Sequence, residues 1–153
     1  MVPTPDNADL VAVVREHDPF GRDVELFRRH RYSSGEGQVV KITEGAKLAD
    51  GLIKESDYKL VKTRFSAFFA TQLDSVLRTS GIKNSIIVGV QTSNCIRQTA
   101  FDAASLNYDK VSVILDSTAT PKPEVHECEY LFFTHPLQYH HYSFPHQSIY
   151  IYV

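Results

Sequence analysis

The feature that most constrains the fold is an alternation of short apolar runs with helix-like segments in the middle of the chain. The runs Tyr58–Lys62, Ile86–Val90 and Val111–Leu115 have the length and composition of strands. Between them, apolar residues recur at helical spacing, first from Phe65 to Leu77 and then from Ile96 to Ala104. This alternation is the pattern of right-handed βαβ crossovers that build a parallel sheet, and it predicts an α/β domain.

An earlier apolar run, Leu10–Val14, is typical of a strand that is buried on both faces. Ligands of open parallel sheets bind beyond the carboxyl ends of the strands. The residues that follow the four runs are therefore expected at the functional edge of the sheet. They are Arg15–Asp18, Lys62–Phe65, Gln91–Cys95 and Asp116.

Composition indicates one ordinary globular domain. The 153 residues are 42% hydrophobic and 22% charged, and the net charge of −2 gives no electrostatic signature for nucleic acid or an anionic membrane. No apolar run reaches the ~20 residues of a membrane span, and MVPTPDNADL lacks the features of a secretory signal. Cys95 and Cys128 are too few for a disulfide scaffold. We expect a cytoplasmic protein that binds neither nucleic acid nor membrane.

Cys95 is the strongest candidate for a nucleophile. It follows the strand Ile86–Val90 at the start of a helix, where N–H groups and the helix dipole favour a thiolate. Lys62 ends a neighbouring strand at the same edge, and its ammonium group would favour the thiolate further. The backbone N–H groups of Gln91–Cys95 are in place to form an oxyanion hole for acyl transfer. The alternative interpretation is a buried, inert cysteine.

The sequence around Cys95, VGVQTSNCIRQTAFDAASLNY, closely resembles the isochorismatase-like cysteine hydrolase superfamily, in particular its plant nicotinamidase-like members. The stretches VVREHDPFGRDVELFRRH, DYKLVKTRFSAFFATQL and VSVILDSTAT share this resemblance, which extends over Leu10–His126. The resemblance implies a three-layer α/β/α fold with a central six-stranded parallel sheet and an Asp–Lys–Cys triad. By this resemblance Cys95 is the nucleophile and Lys62 the lysine. The Val90–Gln91 peptide falls where the family places a cis bond, and the N–H groups of Gln91 and Cys95 match the oxyanion hole. Substrate-binding residues stay unassigned.

Two departures from the family concern its acid and its metal. The family's Asp ends a first strand, and no such strand precedes Leu10, so the acid is expected to be absent; Asp6 and Asp9 are the only N-terminal candidates. Related nicotinamidases hold a divalent ion through an Asp-x-His pair. The aligned residues here are Arg15-Glu16-His17, which predicts no metal and no other cofactor, with His17 a polar loop residue.

Both ends of the chain therefore differ from the family. We expect a divergent N-terminal arm over 1–9, an incomplete isochorismatase-like hydrolase domain over 10–125, and a divergent, irregular tail over 126–153. The tail contains no Lys or Arg. Loss of five buried aliphatic side chains from a central strand would cost on the order of 10 kcal/mol, against a typical stability of about 5–15 kcal/mol. Either the tail or a partner chain fills the gap, or the fold is marginal.

Two functions are consistent with this sequence. The first is a cysteine hydrolase whose ancestral chemistry is hydrolysis of a nicotinamide-type carboxamide through a Cys acyl-enzyme, impaired because the Asp is absent. The second is a non-catalytic protein that pairs with full-length homologues, since the resemblance implies homo- or hetero-oligomers. Phe65, Phe68 and Phe69 are expected in the core rather than at the substrate.

Overall fold

A computed structural model describes residues 10–55, 57–134 and 148–153 of the chain. The predicted N-terminal arm over 1–9, with Asp6 and Asp9, lies outside the described residues.

The described residues form one all-parallel sheet of five strands, which is the α/β class that the sequence predicts. Along the sheet the strands follow the order β2-β1-β5-β3-β4. The strands are β1 (Leu10–Arg15), β2 (Tyr58–Lys62), β3 (Asn84–Val90), β4 (Lys110–Ala119) and β5 (Ser148–Tyr152).

In the described part of the chain, four α-helices, two 3₁₀ turns and one π-type turn lie between these strands. The helices are α1 (Arg29–Ser33), α2 (Leu73–Thr79), α3 (Arg97–Ser105) and α4 (Pro123–Thr134). Two 3₁₀ turns, Leu26–Arg28 and Glu44–Ala46, lie in the long connection between β1 and β2, and a single π-type turn, Thr92–Ile96, joins β3 to α3. Among the described residues, no helix is long and apolar enough to cross a membrane.

The four predicted strands are present because their apolar runs can be buried on a sheet. In β1 the four residues Val11–Val14 are all buried, on both faces, as expected for a strand with neighbours on each side. In β4 the strand continues past the predicted end, so Asp116 lies within it and is exposed. Asp116 therefore does not reach the functional edge that the sequence analysis assigned to it.

The expectation of an irregular tail is wrong for its two described ends. The first part of the tail belongs to α4, and β5 occupies the middle of the sheet, paired in parallel with β1 on one side and β3 on the other. Ile149, Ile151 and Val153 from this end of the chain are buried in the core. The gap left by the family's first strand is therefore filled by the tail, one of the possibilities that the sequence left open. Residues 135–147 of the tail lie outside the described residues.

Gly89 shows how closely β5 lies against β3. The amide of Val90 donates to the Val153 carbonyl at 2.8 Å, and the amide of Val153 donates to the Val88 carbonyl at 2.9 Å. A Cβ at Gly89, whose φ is +119°, would lie 2.2 Å from the Val153 carbonyl oxygen. Only glycine allows this approach.

The core is closed by apolar side chains of three helices against one face of the sheet. Leu73 and Leu77 of α2, Ala100 and Ala103 of α3, and Phe133 of α4 belong to the same buried cluster as the strand residues. The helix α2 begins at Leu73 and not at Phe65, the start that the sequence predicted. Polar contacts hold residues 63–72 in a non-helical path instead. The hydroxyl of Thr99 on α3, for example, accepts the Ala67 amide at 3.0 Å.

The aromatic residues in that segment differ from their expected positions. Phe68 is partly buried against the core, as expected. Phe69 is 59% exposed and the expectation for it is wrong. Phe65 packs against the core but also lines the cavity described below.

Candidate active site

A cavity of about 320 Å³ opens at the carboxyl ends of β1, β2, β3 and β5. Its volume is at the lower end of the range for small-molecule sites. The residues predicted at this edge that line it are Arg15, Lys62, Phe65, Gln91, Asn94 and Cys95. The parallel sheet therefore brings three separate stretches of the sequence to one site.

Lys62 is a buried cation at the last position of β2. Its side chain is 2% exposed, and its Nζ donates to the carbonyl oxygens of Arg64 at 3.1 Å and Phe65 at 2.7 Å. Burial lowers the pKa of Lys62, and the neighbouring Cys95 sulfur opposes this through its charge and a hydrogen bond. The two carbonyls and the sulfur together surround the ammonium group with acceptors.

Cys95 lies in the wide turn between β3 and α3 and is 8% exposed. It is not disulfide-bonded, and it faces the Lys62 ammonium group that the sequence analysis placed opposite it. Cys128, the other free cysteine, is exposed on α4. A thiolate at Cys95 would therefore have a cation in the same cavity.

The loop before Cys95 supplies polar groups to the cavity. The Val90–Gln91 peptide bond is cis, as the resemblance implies. The Gln91 side-chain oxygen accepts from Asn94 Nδ2 at 2.8 Å, which fixes both side chains. Within the described part of the chain, the backbone N–H of Gln91 has no hydrogen-bond partner, so it is available to an oxygen in the cavity.

No carboxylate side chain lines the cavity in the described part of the chain. The carboxylate nearest in the hydrogen-bond network is Glu25, which is bound to Arg15 at 2.5 Å. That pairing, together with Arg28, helps to lower the pKa of Glu25 against the opposing effect of burial. An ionised carboxylate held by arginine is a poor proton donor, so Glu25 does not replace the family's acid.

The residues at the family's metal position do not fit a divalent ion. Arg15 stands at the first ligand position, and its Nε donates to His17 Nε2 at 2.8 Å. The other ring nitrogen, Nδ1, lies 3.2 Å from Asp23 Oδ1. Both nitrogens of His17 are engaged by protein groups, and the ring is 1% exposed. His17 is thus a buried structural residue of the loop after β1.

One part of the cavity wall was not predicted from the sequence: it comes from the connection between β1 and β2. Arg28, Gln38, Val39 and Lys47 line the cavity from this side. A parallel bridge between His17 and Val40 folds the connection back over the site. No signal in the sequence indicated these residues, because loops have no periodic pattern.

A family model described as the isochorismatase domain matches residues 7–135. A curated protein of Arabidopsis thaliana, called a probable inactive nicotinamidase, is 60% identical over 125 residues, which are 80% of this chain and 64% of that protein. A ureidoacrylate amidohydrolase of Caulobacter segnis is 44% identical over 68 residues, or 44% of this chain and 28% of the relative. The chain thus spans less than two thirds of the length of these relatives.

Solved structures give the same result. An isochorismatase family protein from Desulfovibrio vulgaris is 40% identical with a TM-score of 0.77, over 81% of this chain and 65% of the other. A nicotinamidase from Bacillus subtilis is 26% identical with a TM-score of 0.69, over 86% of this chain and 73% of the other.

Proposed function

Because the chain belongs to the isochorismatase domain family, we propose that it is a cysteine hydrolase for carboxamides with reduced turnover. The observation that carries this proposal is that the buried Lys62 ammonium group and Cys95 line the same cavity of ligand size and interact electrostatically there. A thiolate held by a desolvated cation is a nucleophile suited to acyl transfer. A nicotinamide-type carboxamide is the ancestral substrate class.

The reaction begins when the Cys95 thiolate attacks the carboxamide carbon and the carbonyl oxygen becomes an oxyanion. The backbone N–H groups of Gln91 and Cys95 are the donors proposed for that oxyanion. The C–N bond then breaks, ammonia leaves with an added proton, and a thioester remains on Cys95. Water adds to the thioester carbon and the C–S bond breaks, which releases the carboxylic acid. A proton from the water replaces the one given to the ammonia, and the Cys95 thiolate is restored.

The slow step in this scheme is protonation of the departing nitrogen. The nearest described proton donor in the cavity is the Lys62 ammonium group, and loss of its proton would remove the charge that stabilises the thiolate. In a comparable triad, replacing the acid lowers kcat roughly 10⁴-fold. The name of the Arabidopsis relative, a probable inactive nicotinamidase, agrees with impaired turnover. A thiol nucleophile must also stay reduced, which agrees with a cytoplasmic location.

The test is ammonia release from nicotinamide, followed over hours at high protein concentration. We expect slow release that disappears in Cys95→Ala and persists in Cys128→Ala, because Cys95 lines the cavity with Lys62 whereas Cys128 is exposed on α4. Equal release by the Cys95→Ala variant would refute the hydrolase assignment, and so would a wild-type rate no faster than buffer.

Exposed apolar side chains favour a second candidate function, pairing with full-length homologues. Phe20, Leu26 and Phe27 follow β1 closely and are all largely exposed. Where exposed apolar side chains form one patch, that patch is typical of a protein interface. Absence of ammonia release, together with co-purification of a homologue that Cys95→Ser does not disturb, would favour this function over catalysis.

A further inference from the structure

Basic side chains surround the cavity. Arg15, Arg28, Lys47 and Lys62 all line it, and no acidic side chain of the described residues does so. An excess of one sign of charge inside a concave site selects ligands of the opposite charge. A cation in this cavity that lacks an anionic partner in the protein would be free to bind such a ligand.

Three of the four have such a partner. Lys62 faces the Cys95 sulfur, Arg15 binds Glu25 at 2.5 Å, and Lys47 binds Glu44 at 2.5 Å near the rim. The remaining cation, Arg28, approaches only the carboxylate that Arg15 already binds, at 3.9 Å from Glu25 Oε2. The cavity therefore holds one positive charge more than its protein partners balance, even with Cys95 as a thiolate.

Arg28 is held in place by aromatic rings rather than by hydrogen bonds. Its guanidinium lies 5.0 Å from the ring centre of Phe65 and 5.4 Å from that of Phe27. In the described part of the chain, its N–H donors make no hydrogen bond. The side chain is only 31% exposed, so these donors are partly withdrawn from water. A guanidinium that is fixed in direction and lacks acceptors is suited to a bidentate anion.

We propose that Arg28 binds a carboxylate of the substrate, so that the preferred substrates are small molecules with a carboxylate at one end and a carboxamide at the other. This inference rests on the proposed function for the carboxamide, and on the charge and geometry of Arg28 for the carboxylate. The planar fork of the guanidinium matches the two oxygens of a carboxylate.

The position of Arg28 relative to Cys95 supports a single ligand that reaches both groups. Burial and Arg15 lower the pKa of Arg28, whereas Glu25, Cys95 and Tyr32 oppose this effect. The sulfur is therefore within electrostatic reach of the guanidinium. Because both residues line the same cavity of about 320 Å³, one small ligand can contact both.

The experiment compares binding of succinamate and butyramide to the Cys95→Ala variant by isothermal titration calorimetry. The two amides have four carbons each and differ only at the end away from the amide, which is a carboxylate in succinamate and a methyl group in butyramide. We expect succinamate to bind at least about tenfold more tightly, the effect of one charge-assisted hydrogen-bonded pair. Adding Arg28→Gln to the Cys95→Ala variant should abolish the preference for succinamate, and adding Arg28→Lys should retain part of it.

Arg29→Gln is the matched control, because Arg29 is exposed on α1 and the substitution changes the net charge equally. Thermal unfolding of each variant reports whether it is folded. Should Arg28→Gln fail to fold, the salt dependence of binding replaces it: raising ionic strength should weaken succinamate binding and leave butyramide binding unchanged.

Equal binding of the two amides, including no detectable binding of either, would overturn the anion site, as would a preference that survives Arg28→Gln. Ammonia release by the wild type from both amides separates this inference from the proposed function. Binding preference without any ammonia release would contradict the hydrolase and leave the carboxylate site standing. Ammonia release that depends on Cys95, together with equal binding of the two amides, would support the hydrolase and contradict the carboxylate site.

Discussion

His17 links the loop after β1 to the wall of the cavity through its two ring nitrogens. Since Nε2 accepts from the Arg15 guanidinium, the ring proton is on Nδ1 and is directed at Asp23. Asp23 also accepts the Asp18 backbone amide, at 3.0 Å. Protonation of His17 would turn the acceptor of Arg15 into a second donor, so the neutral ring is the form that fits this network.

This network predicts that the protein loses stability as pH falls below about 6.5, the ordinary pKa of histidine. Burial and the adjacent Arg15 lower the pKa of His17 in the folded chain, against the opposing effects of Asp23 and Glu25. The unfolded chain then binds more protons between the folded pKa and about 6.5, so the free energy of unfolding decreases on acidification through this window.

Urea unfolding between about pH 7.5 and 5.5 measures this effect. His17→Gln, whose amide oxygen can accept from Arg15, should flatten the pH dependence within the window. His30→Gln, which alters an exposed histidine on α1, is the control and should retain the wild-type slope. An unchanged slope in His17→Gln would contradict the assignment.

Among the elements, β5 determines how the sheet is completed. It lies between β1 and β3, and without it neither strand would have a neighbour on that side. Its buried side chains, Ile149 and Ile151, contribute on the order of 1.5–3 kcal/mol each, a large share of the about 5–15 kcal/mol by which a domain is usually stable.

Ile151→Ala should therefore destabilise the protein by about 2–5 kcal/mol, the usual cost of this truncation in a core. Ile151 has no exposed surface, whereas Ile42 is fully exposed, so Ile42→Ala is a matched control with an expected change within about 0.5 kcal/mol. Equal effects in urea unfolding would show that β5 does not occupy this position in solution.

The strands differ in how well the sequence predicts them, for a physical reason. The sequences of β1 and β3 are continuous apolar runs, so burial on both faces is visible from composition alone. In β5 the sequence SIYIY alternates isoleucine with tyrosine and follows a histidine-rich stretch without periodicity. Its central position depends on a gap between β1 and β3, which only the assembled sheet reveals.

For the whole molecule, the sequence predicts the residues that the sheet positions and misses those that loops position. Lys62 and Cys95 were predicted to meet because parallel strands present their carboxyl ends at one edge. Arg28 and Lys47 reach the same cavity from the long β1–β2 connection, whose path depends on tertiary contacts such as the stacking of Arg28 on Phe65. The residues that the sheet positions were therefore more predictable than those that a loop positions.

The proposed hydrolase depends most directly on the pairing of the Lys62 ammonium group with the Cys95 sulfur in the cavity that both residues line. The most direct measurement is the rate of Cys95 alkylation by iodoacetamide at about pH 7, in a Cys128→Ala background and followed by mass spectrometry. Lys62→Met should slow alkylation by about tenfold or more, because the thiolate loses its cation. Lys59→Met, on the exposed side of the same strand, should retain the wild-type rate. Alkylation of the folded Lys62→Met variant at the Lys59→Met rate would contradict the account.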